Sequence, residues 1–448
     1  MRRPSRSLVV LAVVLAVLAG SLAATGPATA GTATASSMPR PHNDPFYSYT
    51  GRTPLKDIAP GTVLKRRSTT LSLFGQGSTP VPAEQLLYRT RDEQRRPTVT
   101  VTTVVQPTGP STGPSTGPSP GAAHGIVAYL SFYDALGDEC DPSYTLRGGD
   151  SGTAANRQQA QVEEGLVTSL AAQGYAVTVP DFEGEHLHWA AGQESGWSTL
   201  DAVRATESWL HAKASSTPVG LFGYSGGSIA GEWAAELAPR YSPRLDIAGT
   251  AIGGIPVDMA HNLRYINGSK DWSGIIPAVL VSLGRAFGVH VRHYESAYGR
   301  RLARRVSHQC IGSFNGAYPG LRVQQLVKHR YRHFLQVPVF ARIVNHLIMG
   351  TAPGHPNAPM LLAVGDKDGT GDGVMVADDV EALGHEYCQQ GVTVQFTRLS
   401  GADHTQAGAQ FFPLAEQFLG QRLAGVPVTG NCASIGRGNS LAPLKVRR

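Results

Sequence analysis

Residues 217–241 read TPVGLFGYSGGSIAGEWAAELAPRY. The apolar run VGLFG predicts a short strand, and GSIAGEWAAELAPRY predicts a helix that follows it at once. Between them stands Gly223-Tyr224-Ser225-Gly226-Gly227. A strand that turns directly into a helix forces strained backbone angles on the residue at the corner. Gly223 and Gly227 carry no Cβ, so strand and helix can approach closely there. Ser225 is then lifted above the sheet edge at a helix N-terminus, and the amide of Gly226 is placed to donate to a developing oxyanion. Glycine-rich turns occur by chance, so the motif alone says little. The strand before it and the helix after it make Ser225 a candidate nucleophile.

A serine hydroxyl needs a base, and on a strand–turn–helix scaffold of this kind the chain order is serine, acid, histidine. Downstream, SGADHTQAG sets His404 in a loop directly after the predicted strand VTVQFTRL. His385 competes but falls inside a helical run. The acid belongs after the preceding strand, where LLAVGDKDGTGDGV offers Asp366, Asp368 and Asp372. Counting from the strand end favours Asp368, and counting back from the next helix favours Asp372; we take Asp368 first. The same aspartates could form a cation loop, but no bidentate glutamate follows at the required spacing.

Working outward, strands and helices alternate. RQQAQVEEGLVTSLAAQG is helical, YAVTVPD is a strand, and STLDAVRATESWLHAK is a helix opening on a Ser/Thr cap with Asp201 in its first turn. LDIAGTAIGG, PMLLAVGD and VTVQFTRLSG are further strands, and VMVADDVEALGHEYCQQ and FFPLAEQFLGQRLAG further helices. This alternation predicts an α/β fold with a mostly parallel central sheet. Ahead of it, QLLYRTRD and PTVTVTTVVQP are β-rich, and the repeated TGPS unit of 107–120 reads as a loop or hairpin tip joining two neighbouring strands. Residues 256–350 break the pattern with amphipathic helices rich in His and Arg, and read as a helical cap inserted between core strands. The expected organisation is therefore a signal segment 1–30, a flexible stretch 31–45, a first core part 46–255, the cap 256–350, a second core part 351–435 and a basic tail 436–448.

The chain has 448 residues, 41% hydrophobic and 16% charged, with net charge +6. That is neither a disordered nor a nucleic-acid-binding composition. MRRPSRS, LVVLAVVLAVLAG and the small residues up to Ala30 have the shape of a cleavable export signal, and the apolar run is short for a membrane span. Cys140, Cys310, Cys388 and Cys432 include no Cys-x-x-Cys pair, which argues against zinc. In an exported chain four cysteines suggest two disulfides, with three pairings open.

The set NDPFY, LLYRTRD, YDALGDECDPSY, VPDFEG, AGQESGWSTLDAVRA, FGYSGGSIA and GADH, in that order, resembles the secretory lipase family of the α/β-hydrolase superfamily. The resemblance implies an α/β-hydrolase fold with a helical cap, and a lipase or esterase acting on carboxylic esters of lipids without metal or cofactor. It matches the family's nucleophile to Ser225 and its base to His404, and puts the acid in the Asp368–Asp372 loop. It pairs Asp134 with Gly226 as the oxyanion hole, which requires a protonated Asp134 if that side chain donates. It implies the disulfides Cys140–Cys310 and Cys388–Cys432. The cap matches the family poorly, so acyl-chain preference stays open. Its apolar piece IIPAVLVSLGRAFG can line an acyl tunnel, touch a lipid surface or serve as ordinary core. Two other readings remain: an acyltransferase or peptidase on the same fold, or an inert hydrolase fold used for binding.

Overall fold

A computed structural model describes residues 38–72, 81–108 and 123–446. The signal segment, most of the TGPS segment and part of the stretch 31–45 lie outside these residues. Nine strands form one sheet: β1 (Val63–Thr70), β2 (Pro82–Arg91), β3 (Pro97–Val105), β4 (Ile126–Leu130), β5 (Ala176–Pro180), β6 (Pro218–Tyr224), β7 (Asp246–Gly253), β8 (Met360–Asp366) and β9 (Val394–Ser400). Their spatial order is β1-β2-β3-β5-β4-β6-β7-β8-β9. The pairs from β1 to β5 are antiparallel, and every pair from β5–β4 to β8–β9 is parallel.

The main helices are α1 (Ala154–Ala172), α2 (Gly192–Leu210), α3 (Gly226–Tyr241), α4 (Met259–Ile266), α5 (Ile275–Ala286), α6 (Ala297–Val306), α7 (Pro338–His346), α8 (Ala377–Gln389) and α9 (His404–Leu423). Successive residues of β4 divide between two apolar layers, as the period of a strand requires. Ile126, Ala128 and Leu130 join Val203 of α2 and Ile229 and Trp233 of α3. Val127 and Tyr129 join Val167 of α1 and Phe411 and Leu419 of α9. Helices thus cover both faces, which is why β4 is apolar throughout rather than alternating. Helices α4 to α7 all lie between β7 and β8, and Val279, Leu283 and Leu302 continue the α2/α3 layer outward. The disulfide Cys140–Cys310 ties this helical region to the sheet end, and Cys388–Cys432 fastens the end of α8 to the C-terminal segment.

Several expectations change. The TGPS segment does not join neighbouring strands, because β5 lies between β3 and β4. The helix expected to open at Ser198/Thr199 begins at Gly192. Thr199 instead donates to the Ser195 carbonyl, and Asp201 is buried, accepting from Thr90 and Tyr241. A Cβ at Gly192 would meet the Trp233 ring at 2.1 Å. It is small because α2 and α3 touch at that point. Residues 41–47, partly assigned to a flexible stretch, form two 3-10 turns held by Asp44 against Arg67. The edge strand β1 had no place in the sequence reading. Its sequence VLKRRSTT is cationic and polar, as exposed sheet edges often are.

Several carboxyls are buried in this fold. Burial pushes Glu163, Asp181 and Glu236 each up to about 7, although hydrogen bonds to Ser131, Ser143 and Gly350 respectively oppose it. Their folded values stand above their unfolded ones, so the folded state holds more protons. Stability is then fullest below the unfolded values near 4 and falls as pH rises towards 7. His188, which burial pushes down to about 4, works against this trend below pH 6.5. We expect the unfolding midpoint to be higher at pH 5 than at pH 8. A denaturation series showing the reverse order would contradict the burial of these three groups.

Candidate active site

Ser225 sits between the last residue of β6 and the first of α3, with φ 52° and ψ −121°. A side chain at positive φ is uncommon, and holding it there costs roughly 1–3 kcal/mol. The amide of Ser225 is fixed by the Gly253 carbonyl at 2.9 Å. The flanking glycines are sterically required: a Cβ on Gly223 would meet the Gly227 carbonyl oxygen at 2.3 Å, and one on Gly227 would meet that of Leu130 at 1.9 Å.

His404 is brought to Ser225 from the far side of the sheet. It is not in a loop, as the sequence suggested, but is the first residue of α9, behind the Asp403 N-cap. Its Nε2 lies 2.9 Å from Ser225 Oγ. Its Nδ1 lies 2.7 Å from Asp372 Oδ2. A proton on Nδ1 shared with that carboxylate leaves Nε2 as the acceptor for the serine hydroxyl. The Tyr224 hydroxyl donates to the His404 carbonyl, and the Tyr224 ring lies 5.0 Å from the imidazole. The Trp272 ring packs edge-on from the opposite side, 5.1 Å away.

The carboxylate that meets His404 is Asp372, the alternative acid, and not Asp368. Asp372 is fully buried, and besides His404 it accepts from the amides of Val374 and Met375 at 3.0 and 2.7 Å. Asp368 is exposed. Its carboxylate accepts from Tyr265 at 2.8 Å and from the amides of Thr370 and Gly371. Slight burial raises Asp368, but these donors outweigh it and hold the carboxyl below its usual range. The Tyr265 hydroxyl also accepts from the Gly373 amide at 3.0 Å, so Asp368 buttresses the turn carrying Asp372. Asp366 bonds Gly369 and Arg398, and His385 contacts Gln389 on α8.

Asp134 and Gly226 also meet. A Cβ on Gly226 would fall 1.6 Å from Asp134 Oδ1, so only glycine leaves room for this carboxyl. Asp134 is 3% exposed, takes φ 40°, and its Oδ1 has no hydrogen-bond partner. Burial pushes its carboxyl well above the usual range, and the charge of Glu163 adds to that. The Trp189 indole favours the charged form from nearby, but makes no hydrogen bond of normal geometry to it. A neutral carboxyl beside a free helix N-terminal amide can donate two hydrogen bonds to one oxygen.

Ser225, Gly226 and Asp134 line a narrow, mostly apolar cavity. Ile275 and Val279, one turn apart on α5, line it, whereas Ile276 and Leu283 pack into the core. The piece IIPAVLVSLGRAFG therefore serves both as cavity wall and as core. Trp272 and Tyr265 were not singled out from the sequence, because no periodicity links the cap to the sheet; nor was Trp189, which lies between β5 and α2. The one cluster with metal-ligand spacing among the described residues, Glu139, Cys140 and Cys310, has both sulfurs in a disulfide and offers no thiolate. No helix among those residues is long and apolar enough to cross a membrane.

Comparison with known proteins gives consistent relatives. A family model described as secretory lipase matches residues 150–431. A Mycobacterium tuberculosis protein named a probable inactive lipase is 30% identical over 393 residues, 87% of this chain and 84% of its own. A secreted triacylglycerol lipase of Malassezia furfur is 29% identical over 409 residues, 89% and 82% of the two chains. Among solved structures, Candida antarctica lipase A superposes with a TM-score of 0.78 at 25% identity, covering 89% of this chain and 90% of that one.

Proposed function

Since the chain belongs to the secretory lipase family and has its α/β-hydrolase fold, and is thereby a carboxylic ester hydrolase, we propose that it is a secreted triacylglycerol lipase or carboxylesterase whose triad is Ser225, His404 and Asp372. The observation that carries the proposal is the unbroken row from Ser225 Oγ through His404 to buried Asp372, beneath an apolar cavity. In this reading His404 Nε2 takes the hydroxyl proton as Ser225 attacks the ester carbonyl. The Gly226 amide and the neutral Asp134 carboxyl donate to the oxyanion. His404⁺ protonates the leaving alcohol, then draws a proton from water, which attacks the acyl-serine and releases the acid. Asp372 holds the Nδ1–H tautomer and stabilises the imidazolium. No step calls for a metal or cofactor. Secretion is supported by the signal pattern of residues 1–30 and by the family.

The name of the mycobacterial relative favours one other reading, an inert hydrolase fold. A fluorophosphonate probe and a series of p-nitrophenyl esters decide between them. The proposal expects labelling at Ser225 and turnover; failure of both would leave the inert reading standing. An added alcohol acceptor separates hydrolysis from acyl transfer.

Asp134 supplies a sharper prediction. Asp134→Ala should lower kcat by roughly 10²–10³, the usual effect of losing one oxyanion donor. Asp134→Asn keeps an N–H donor and should retain far more. Because Asp134 must stay protonated to donate, the parent should lose activity as pH rises through its elevated pKa, and the Asn variant should lack that alkaline limb. Equal damage from Ala and Asn, with unchanged pH profiles, would remove Asp134 from the oxyanion hole.

A further inference from the structure

Residues 285–342 contain eleven Arg and Lys against one acid, leaving 28 basic and 32 acidic residues in the rest of the chain. The excess positive charge is therefore concentrated in one region. That single acid, Glu295, is 4% exposed and turned inward. On α6, Ala297, Tyr298, Arg301, Arg304 and Arg305 are all exposed and share one side of the helix, while Gly299, Leu302 and Val306 are buried on the other. The neighbouring segment adds exposed Arg322, Arg330 and Arg332. It is continuous with α6: the Ser296 amide donates to Leu326, Glu295 bridges Val327, and His293 meets the Tyr331 hydroxyl at 3.0 Å. None of these exposed arginines, nor Arg292, enters an ion pair among the described residues. Tyr298, one of three exposed large hydrophobics among those residues, lies on the same face beneath the Arg301 guanidinium.

We propose that this face of the cap docks the protein on an anionic lipid surface. The charges are spread along one helix face and its adjoining loop, so they fit an extended plane of charge better than a single phosphate. An exposed tyrosine among them suits the boundary between water and lipid. Helix α6 packs against α5, which lines the cavity above Ser225, so the docking face lies on the helix pair that walls that cavity. The inference rests on the lipid-ester reading, and gives it a direction: each hydrolysed neutral ester leaves a carboxylate behind, so the surface grows more attractive as the reaction proceeds.

The test uses the mature chain carrying Ser225→Ala, so that binding is read without turnover. Flotation with phosphatidylcholine vesicles, with and without phosphatidylglycerol, should show binding that needs the anionic lipid and weakens as salt screens it. Adding Arg301→Gln, Arg304→Gln and Arg305→Gln should weaken binding by roughly 100-fold, about fivefold per charge. With Ser225 intact, the same three changes should leave hydrolysis of a water-soluble p-nitrophenyl ester unchanged, which reports that the chain still folds. Equal binding to neutral and anionic vesicles, or no effect of the three substitutions, overturns the proposal. So does binding to a sulfated polysaccharide with none to vesicles. Charge-dependent vesicle binding by a parent that hydrolyses no ester would uphold the docking face and reject the lipase reading instead.

Discussion

Replacing Ser225 by Ala should lower kcat on p-nitrophenyl esters by roughly 10⁵–10⁶ and abolish labelling by a fluorophosphonate. The variant removes one oxygen, and with it both the bond to the acyl group and the 2.9 Å contact to His404. Gly226, Asp134 and the cavity stay, so a residual rate above that in water is expected from oxyanion stabilisation and binding alone. The fold should survive. Alanine at φ 52° is strained much as serine is, and the Ser225 amide bond to Gly253 is a backbone bond that the change does not touch. Circular dichroism and the unfolding midpoint of the variant should therefore match the parent. A variant within tenfold of parent activity would mean the hydrolysis comes from another group.

What the sequence discloses and what it hides divides along a physical line. Local geometry is legible. A corner that admits only glycine at Gly223 and Gly227 shows itself as glycine in the sequence, and so marks Ser225 as a candidate before any coordinates are known. The parallel strands are legible because helices bury both their faces, which makes them short apolar runs. Long-range placement is less so. Asp368 and Asp372 differ by four positions in one loop, and only the fold decides which carboxyl is carried inward by the turn at Val374 and Met375. Likewise β5 enters between β3 and β4, a fact about sheet order that no local pattern carries. Tyr265 and Trp272 touch the acid turn and His404 from the cap. Their roles depend on how the cap folds back over the sheet, which no local pattern carries. The charge of that cap was visible as composition, but as a mild net value until its acids were seen to be nearly absent from one stretch.

The acid itself supplies the second large effect. Asp372→Asn should reduce kcat by about 10⁴, while Asp368→Asn should cost less than tenfold. Both substitutions replace one carboxylate oxygen with an amide at nearly constant volume, so the comparison separates position from chemistry. At Asp372 the amide can donate to His404 Nδ1, which favours the tautomer with its proton on Nε2. That ring can no longer accept from Ser225 Oγ, and the imidazolium loses its counter-charge. At Asp368 the change weakens the bond from Tyr265 and the turn it supports, but leaves the Asp372 carboxylate its amide donors from Val374 and Met375. Asp368→Asn should therefore act through loosened positioning of Asp372. Its small loss should appear in kcat, and Tyr265→Phe should reproduce it, because that variant cuts the same link from the other end. Should Asp368→Asn prove the more damaging, the exposed carboxylate would have to reach His404 in a conformation other than this one, and the assignment of Asp372 would fall.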